Sequence, residues 1–368
     1  LHTGFVNLTD VSIDYYLQFE DAEIAHLNNI TIVSQLFGTV NDLLLEDVET
    51  GYGANTLRVN KFWMSNSTFE ESTSNNNNFY IYVSDLDNTN NASSSDVYIF
   101  NSTIKFVTSA NSYHSIFDIN TIADIRIIDS EINATNFETS KIELEGSDIW
   151  ITDSTLWSGT KYTGGGCNYR CSSEDLYSDL NIYGSDLVIT NSLLHSRTEA
   201  PSLYSSSSYW MKTYNYVEIS VDDLEIIDSS LTTYSYMNRI QYGSSDRSVY
   251  SGIEIEASSF ESDNSTIMIE VGSPSDYNAG YIYPDFDIVI EGDIEITDSF
   301  VGLEDWTDNY VDGGIYIRET NYTLNILDST IRSGIYACHD SNAGCNSTYY
   351  NSEANIRNST LYYGGFFS

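Results

Sequence analysis

Apolar and polar residues alternate in short segments along most of the chain, with a period of two. One phrase recurs: two alternating apolar residues, then Asp or Asn, then usually Ser, then one further residue and another apolar one. Residues 149–156 and 224–231 are clear copies. A period of two is typical of a β-strand with one buried face, so each half of the phrase predicts a short strand.

The phrase occurs ten times between about residue 60 and the C-terminus, with successive turn residues 24 to 38 positions apart. Asn and Asp tolerate the left-handed backbone conformation, so the residue between the two halves predicts a sharp bend. A further alternating segment often precedes the phrase, as in 141–145 and 217–221, so each repeat contains three short strands and a variable loop. The turn residues are Asn66, Asn101, Asp129, Asp153, Asn191, Asp228, Asn264, Asp298, Asp328 and Asn358.

Such a repeat cannot bury its apolar faces alone, whereas stacked repeats bury them together, each strand pairing in parallel with its copy in the next repeat. The sequence therefore predicts an all-β rod of about 11–13 stacked layers, each advancing about 4.8 Å. Residues 56–368 form one continuous repeat domain, and residues 1–55, which repeat less cleanly, predict irregular early layers or a cap. A β-sandwich and a left-handed β-helix are the alternatives, although the strict six-residue period of the latter is absent.

The strand–bend–strand phrase with Asn or Asp at its corner resembles that of the right-handed parallel β-helix proteins, the pectin-lyase-like superfamily. The resemblance implies a right-handed parallel β-helix solenoid. It also implies a ladder of stacked corner asparagines, interrupted by the Asp corners. The implied ladder members are Asn66, Asn101, Asn191, Asn264 and Asn358.

Composition and charge exclude some classes of binding partner and indicate where the protein is located. The formal net charge is −40, from 54 acidic and 14 basic residues, and no basic patch is visible. Phosphate binding requires clustered Lys and Arg, so nucleic acid and anionic membrane are excluded as partners. No stretch of about 18 apolar residues predicts a membrane span. The chain opens on patterned sequence without a signal peptide, so we expect a secreted extracellular or cell-surface protein whose signal was removed.

The four cysteines form two close pairs, Cys167 with Cys171 and Cys338 with Cys345. Proximity favours two local disulfides, which imply an oxidising compartment. Zinc ligands and free thiols are the alternatives, although the spacing is not a familiar zinc pattern.

Two further kinds of site are predicted. Asn-X-Ser/Thr triplets are about as frequent as composition alone gives, and four of the five Asn-Ser-Thr triplets lie at the bend; we expect N-linked glycans on some. Asp305, Asp308 and Asp312 precede a Gly-Gly pair and are candidate Ca²⁺ ligands, with solvated carboxylates as the alternative. The triplets begin at Asn7, Asn29, Asn66, Asn91, Asn101, Asn133, Asn264, Asn321, Asn346 and Asn358.

These features favour a structural glycoprotein, a subunit that assembles with itself through its ends or edges into a surface filament, sheath or array. The first alternative is an adhesin or glycan-binding rod. The second is a polysaccharide lyase or hydrolase, which would need carboxylates and a basic group gathered on one face. The basic residues, Arg126 and Lys141 among them, are scattered along the sequence, so we expect no enzyme and no cofactor other than Ca²⁺ and N-linked glycans.

Overall fold

The structure, a computed structural model, describes residues 4–51, 55–71, 77–83, 96–107, 114–136, 139–161, 176–200, 211–237, 247–272, 281–303, 312–317, 323–337, 353–361 and 365–367. Within these ranges the chain forms strands joined by bends and turns, with no helix. Accordingly, this part of the chain contains no helix that is both apolar and long enough to cross a membrane.

Thirty-three strands follow one another along the described residues. The first eleven are β1 Phe5–Ile13, β2 Leu17–Ile32, β3 Leu36–Thr50, β4 Asn55–Ser65, β5 Thr68–Glu71, β6 Asn77–Val83, β7 Val97–Phe100, β8 Thr103–Val107, β9 His114–Thr121, β10 Ile125–Ile128 and β11 Glu131–Asn136. The next eleven are β12 Thr139–Glu145, β13 Asp148–Thr152, β14 Thr155–Lys161, β15 Leu176–Tyr183, β16 Asp186–Thr190, β17 Leu193–Ala200, β18 Met211–Ser220, β19 Asp223–Ile227, β20 Ser230–Met237, β21 Arg247–Ala257 and β22 Ser259–Asp263. The last eleven are β23 Thr266–Gly272, β24 Tyr281–Ile290, β25 Ile294–Thr297, β26 Phe300–Leu303, β27 Asp312–Ile317, β28 Thr323–Leu327, β29 Thr330–Arg332, β30 Gly334–Ala337, β31 Glu353–Arg357, β32 Thr360–Leu361 and β33 Gly365–Phe367.

From β5 to β30, each strand pairs in parallel with the strand three places later, which is its copy in the next layer. Three columns of stacked strands result, which we call A (from β6, every third strand to β33), B (from β7 to β31) and C (from β5 to β32). The longer β1–β4 each pass through two or three columns and pair in parallel with one another. This is an all-β parallel β-helix solenoid, as the sequence predicted.

The corner between columns B and C recurs thirteen times in the described residues, which agrees with the predicted 11–13 layers. Each corner is an Asp or Asn with φ between 45° and 56°, the left-handed region that these two residues tolerate. Three of the corners, Asp10, Asn29 and Asp47, lie within the first 55 residues, where β1–β3 stack in register with β4.

The corner side chains form an external ladder. Asn101 Nδ2 donates to Asn66 Oδ1 over 2.7 Å, and Asn264 Nδ2 donates to Asp228 Oδ1 over 2.6 Å. Asn191 and Asn358 make the same bond to the Asp corner of the preceding layer. Asn therefore stacks on Asn at one step, from Asn66 to Asn101, and the Asp corners interrupt the asparagine ladder as expected. Where an Asn corner follows an Asp corner, the carboxylate oxygen accepts the amide hydrogen in the same way.

A second ladder runs inside the corner and consists of the serine that follows the corner residue in ten successive layers. Ser154 is representative: its Oγ donates to the Thr152 carbonyl (2.7 Å) and accepts from the amide of Ser130, one layer away (3.1 Å). Each serine thereby satisfies a backbone amide that the bend removes from the strand ladder. The members are Ser67, Ser102, Ser130, Ser154, Ser192, Ser229, Ser265, Ser299, Ser329 and Ser359.

The core is a continuous stack of inward-facing aliphatic side chains, chiefly Ile and Leu. Ile125 and Ile127 of β10 are fully buried and lie in register with Ile149 and Ile151 of β13. Because inward positions alternate with outward ones, the same register aligns the outward side chains into rows along the rod. These rows form the surfaces on which a site can be built.

Candidate functional site

The strongest candidate lies on the outer face of column B in the first seven layers. Parallel register places seven side chains from different layers in one row there, and a second row runs beside it. The first row contains Asn7, His26, Leu44, Trp63, Tyr98, Arg126 and Trp150. The second contains Phe5, Ile24, Asp42 and Lys61, with Asp96 in the following layer.

Trp63 is the central side chain of this face. Its neighbours in β4, Phe62 and Met64, are buried in the core, so strand alternation points the indole outward. Trp63 is 46 % exposed and stacks on Tyr98 of the next layer, with ring centroids 4.2 Å apart and an interplanar angle of 25°. The Tyr98 ring supports one side of the indole, Leu44 is the register partner of Trp63 on the other side, and nearly half of the Trp63 surface is open to solvent as an aromatic platform.

Charged groups of both signs surround the platform. Arg126 lies between Asp96 and Asp124, with N–O distances of 3.6 and 3.1 Å, and its guanidinium carbon lies 4.6 Å from the ring centre of Trp150. These contacts hold Arg126 in place beside Tyr98, its register partner. The arginine therefore presents a fixed set of hydrogen-bond donors at the edge of the platform.

The two rows enclose an open cleft of about 560 Å³. Its floor is apolar and aromatic, with Phe5 and Ile24 also well exposed, while Lys61, Asp42 and Asp96 contribute polar atoms. Concave apolar sites with a few convergent polar groups are the usual form of ligand sites. An exposed indole beside fixed donors and acceptors suits a sugar ring, whose C–H faces pack on aromatic rings while its hydroxyls form hydrogen bonds.

The outer face of column A carries a ladder of four tyrosines, Tyr177, Tyr214, Tyr250 and Tyr283. Their ring centroids lie 4.8 to 5.0 Å apart, and the rings are within 13° of parallel. Each ring face is covered by the next ring, so the inner tyrosines present only edges and hydroxyls to solvent. We therefore interpret this ladder as a contribution to layer stacking, in contrast to the exposed face of Trp63.

Beside the tyrosines, column A gathers a charged cluster centred on Lys141. Lys141 forms an ion pair with Glu143. Glu143 is the register partner of Asp118, and Lys141 is the register partner of Asp179. Burial, reinforced by repulsion from neighbouring glutamates and opposed by Lys141, raises the pKa of Asp118 and of Asp179 to about 6. The cluster therefore contains two carboxyl groups that can exchange protons near neutral pH.

Column C carries a smaller cleft, of about 280 Å³, lined by Asn133, Trp157, Gly159, Arg197 and Glu199 among others. Trp157 contacts the ring of His195 with centroids 4.4 Å apart. Burial and the charge of Arg197 lower the pKa of His195 to about 4, so the imidazole is neutral at neutral pH. Its Nδ1 lies 2.6 Å from the Thr232 hydroxyl in the next layer.

Only some of the sites predicted from the sequence lie within the residues that the structure describes. The four cysteines, Asp305, Asp308, Asn91, Asn321 and Asn346 lie outside the described residues. Asp312 opens β27, and its side chain is not described. Among the described residues, no group of three or more His, Cys, Asp or Glu side chains is arranged to hold a metal ion. Asn29, Asn66, Asn101, Asn264 and Asn358 are corner residues, whereas Asn7 and Asn133 lie within strands.

Sequence reasoning missed Trp63, Tyr98 and the grouping around Lys141. Arg126 and Lys141 were expected to be scattered, yet register places Arg126 in the cleft and Lys141 among carboxylates. The signal that could have found them is the position of each residue relative to its corner, since Trp63, Tyr98 and Arg126 all lie three residues before a corner.

Comparison with known proteins gives no matching family model, no matching curated protein and no matching solved structure. The geometry of these faces is therefore the only guide to function.

Proposed function

We propose that this chain is an extracellular rod that binds glycans in the column B cleft, with Trp63 as the main contact. The observation that carries the proposal is the exposed indole of Trp63, held by Tyr98 and flanked by Arg126 and Lys61. The fold agrees with the coarse resemblance to parallel β-helices, and we propose a distant relationship to the pectin-lyase-like superfamily on the strength of the corner phrase.

Charge favours a neutral glycan over an acidic one. The net charge of −40 repels polyanions at long range. Within the cleft, Asp42 and Asp96 offset the positive charges of Lys61 and Arg126, so no excess of cations is left to recruit a uronate. Because the lining comes from successive layers, a saccharide lying along the rod axis contacts several of them at once.

The proposal is tested by a glycan array followed by calorimetric titration of the best neutral oligosaccharide. Trp63→Ala removes the platform but leaves the inward residues intact, so we expect an affinity loss of about 30-fold or more, as for a buried aromatic contact at the centre of an interface. Tyr283→Ala, an exposed aromatic substitution outside the cleft, is the matched control and keeps the wild-type affinity. Equal affinities of the Trp63→Ala variant and the wild type would reject the proposal.

A second candidate function is hydrolysis of a polysaccharide at the Lys141 cluster. Asp118 and Asp179 have raised pKa values and are two layers apart, which corresponds to about 10 Å along the rod axis. They are also two positions apart along the strand, so their backbone positions are about 12 Å apart. Inverting glycosidases place their acid and base roughly 6.5–9.5 Å apart, a separation that requires both side chains to lean toward each other. Incubation with neutral and acidic polysaccharides should release reducing ends, and Asp179→Asn should abolish the release. No product from any polysaccharide removes this candidate but leaves the binding proposal standing.

A further inference from the structure

We propose that Asn133 carries an N-linked glycan whose first sugar, an N-acetylated hexosamine, packs into the column C cleft on Trp157. This proposal is independent of glycan binding in column B. It assigns the smaller cleft to a covalently attached sugar of the chain itself.

The Asn133–Thr135 triplet has a geometry that leaves the modified atom available. The Thr135 hydroxyl donates to Asn133 Oδ1 over 2.6 Å, so the threonine occupies the carbonyl side of the amide. In the modification, Asn133 Nδ2 forms a bond to the anomeric carbon of a diphosphate-activated oligosaccharide, the bond from that carbon to the diphosphate breaks, and Nδ2 loses one proton. Among the residues that the structure describes, this nitrogen makes no hydrogen bond. At the corners, by contrast, Nδ2 of Asn29, Asn101 and Asn264 donates to the preceding layer.

The cleft begins at the modified residue. Asn133 is the register partner of Trp157 in the next layer. A Cβ atom on Gly159 would lie 2.6 Å from Trp157 Nε1, so the indole extends over this glycine because it has no side chain. A sugar on Asn133 is thus attached one layer away from an aromatic ring lying along the sheet, on which its C–H face can pack.

Size and charge identify one neutral sugar ring as the occupant. The volume of about 280 Å³ is slightly below the range of about 300–1,000 Å³ that is usual for small-molecule pockets. Arg197 is paired with Glu199, and its guanidinium lies over the rings of Tyr234 and Trp157 at 4.6 and 5.9 Å. The far wall of the cleft therefore carries no net charge. An acetamido sugar offers hydroxyl and amide groups to this pair without adding charge.

The test is peptide mapping and native deglycosylation of the full chain secreted from a host that N-glycosylates. A C-terminal Asn-Gly-Thr tag reports that the host modifies exposed acceptors. We expect Asn133 to be modified. We also expect a peptide-N-glycosidase acting on the folded protein to remove this glycan at least tenfold more slowly than the tag glycan. Trp157→Ala should abolish the protection, while Trp157→Phe should retain part of it.

Two results would overturn the proposal. If the tag is modified and Asn133 is not, the proposal that Asn133 carries a glycan is rejected. If Asn133 and the tag release their glycans at equal rates in the wild type, or if the Trp157→Ala variant keeps the protection, the proposal that the sugar packs on Trp157 is rejected. Trp157 is an outward side chain, and matched circular dichroism of the variants shows that they are folded.

Discussion

The serine ladder permits a test of the stacking at single-atom level. Ser154→Ala deletes a hydroxyl that donates to the Thr152 carbonyl over 2.7 Å and accepts from the amide of Ser130 over 3.1 Å. Ser154 is 3 % exposed, so water cannot replace the lost partner without entering the core. The amide of Ser130 is then left without an acceptor at this bend.

The expected cost follows from these two bonds. A buried donor left unsatisfied costs about 1–3 kcal/mol, and the loss of the net contribution of the second bond adds about 1 kcal/mol. We therefore expect the free energy of unfolding to fall by about 2–4 kcal/mol. Ser12→Ala, an exposed substitution in β1, should stay within about 0.5 kcal/mol of wild type.

Urea unfolding followed by circular dichroism measures the difference. Solenoids can lose all-or-none unfolding, so amide hydrogen exchange supplies an independent, local measurement. The Ser130 amide should exchange markedly faster in the Ser154→Ala variant, while distant core amides change only with global stability. A stability equal to that of Ser12→Ala, together with unchanged exchange at Ser130, would refute the interlayer role of the serine.

Three further predictions concern charge and assembly. Burial raises the folded pKa of Asp179 to about 6, so the folded state holds this proton more tightly than the unfolded state and stability falls as pH rises from about 4 to 6. Asp179→Asn should flatten that decline in urea unfolding, and parallel profiles for Asp179→Asn and wild type would contradict the assignment. Asn264→Asp replaces the 2.6 Å ladder bond to Asp228 by two facing carboxylates. The free energy of unfolding should fall by about 1 kcal/mol at pH 7 and by less below about pH 4, as measured by unfolding at both pH values. A loss of stability that does not depend on pH would count against electrostatic repulsion as its cause. Self-assembly of the rods stays a prediction from the sequence, and electron microscopy of the concentrated protein with Ca²⁺ should show filaments or arrays, whereas single particles at all concentrations would reject it.

The corners could be predicted because the rule that places them is local. Between two alternating segments, an Asp or Asn followed by Ser predicts the left-handed bend and supplies the hydroxyl that satisfies the amide in the next layer. Ser67 and Ser102 are examples: the serine that the phrase places after the corner residue takes part in two hydrogen bonds.

The early layers have the same left-handed corner, but a different type of residue follows it. After Asp10, Asn29 and Asp47 the chain has Val11, Ile30 and Val48 in place of serine, and the corners are only 18 or 19 residues apart. The phrase was therefore less visible before residue 55, although the left-handed corner itself recurs.

The candidate cleft could not be predicted because it depends on register between layers. Trp63 and Tyr98 are 35 residues apart, and the intervening loop hides the fact that both precede their corner by three positions. Exposure of the indole depends on the side chain in each neighbouring layer, which composition does not reveal. Only the paired strands place Trp63, Tyr98 and Arg126 in one row.

In-register stacking of the layers is the claim on which every row and cleft depends, and distances between spin labels along column C test it most directly. A label at Thr103 paired in turn with labels at Thr266, Phe300 and Thr330 spans five, six and seven layers. Pulsed electron–electron double resonance should give backbone separations of about 24, 29 and 34 Å, rising by about 4.8 Å per layer. Separations that do not increase in equal steps, or that shorten as the second label moves toward the C-terminus, would contradict the account.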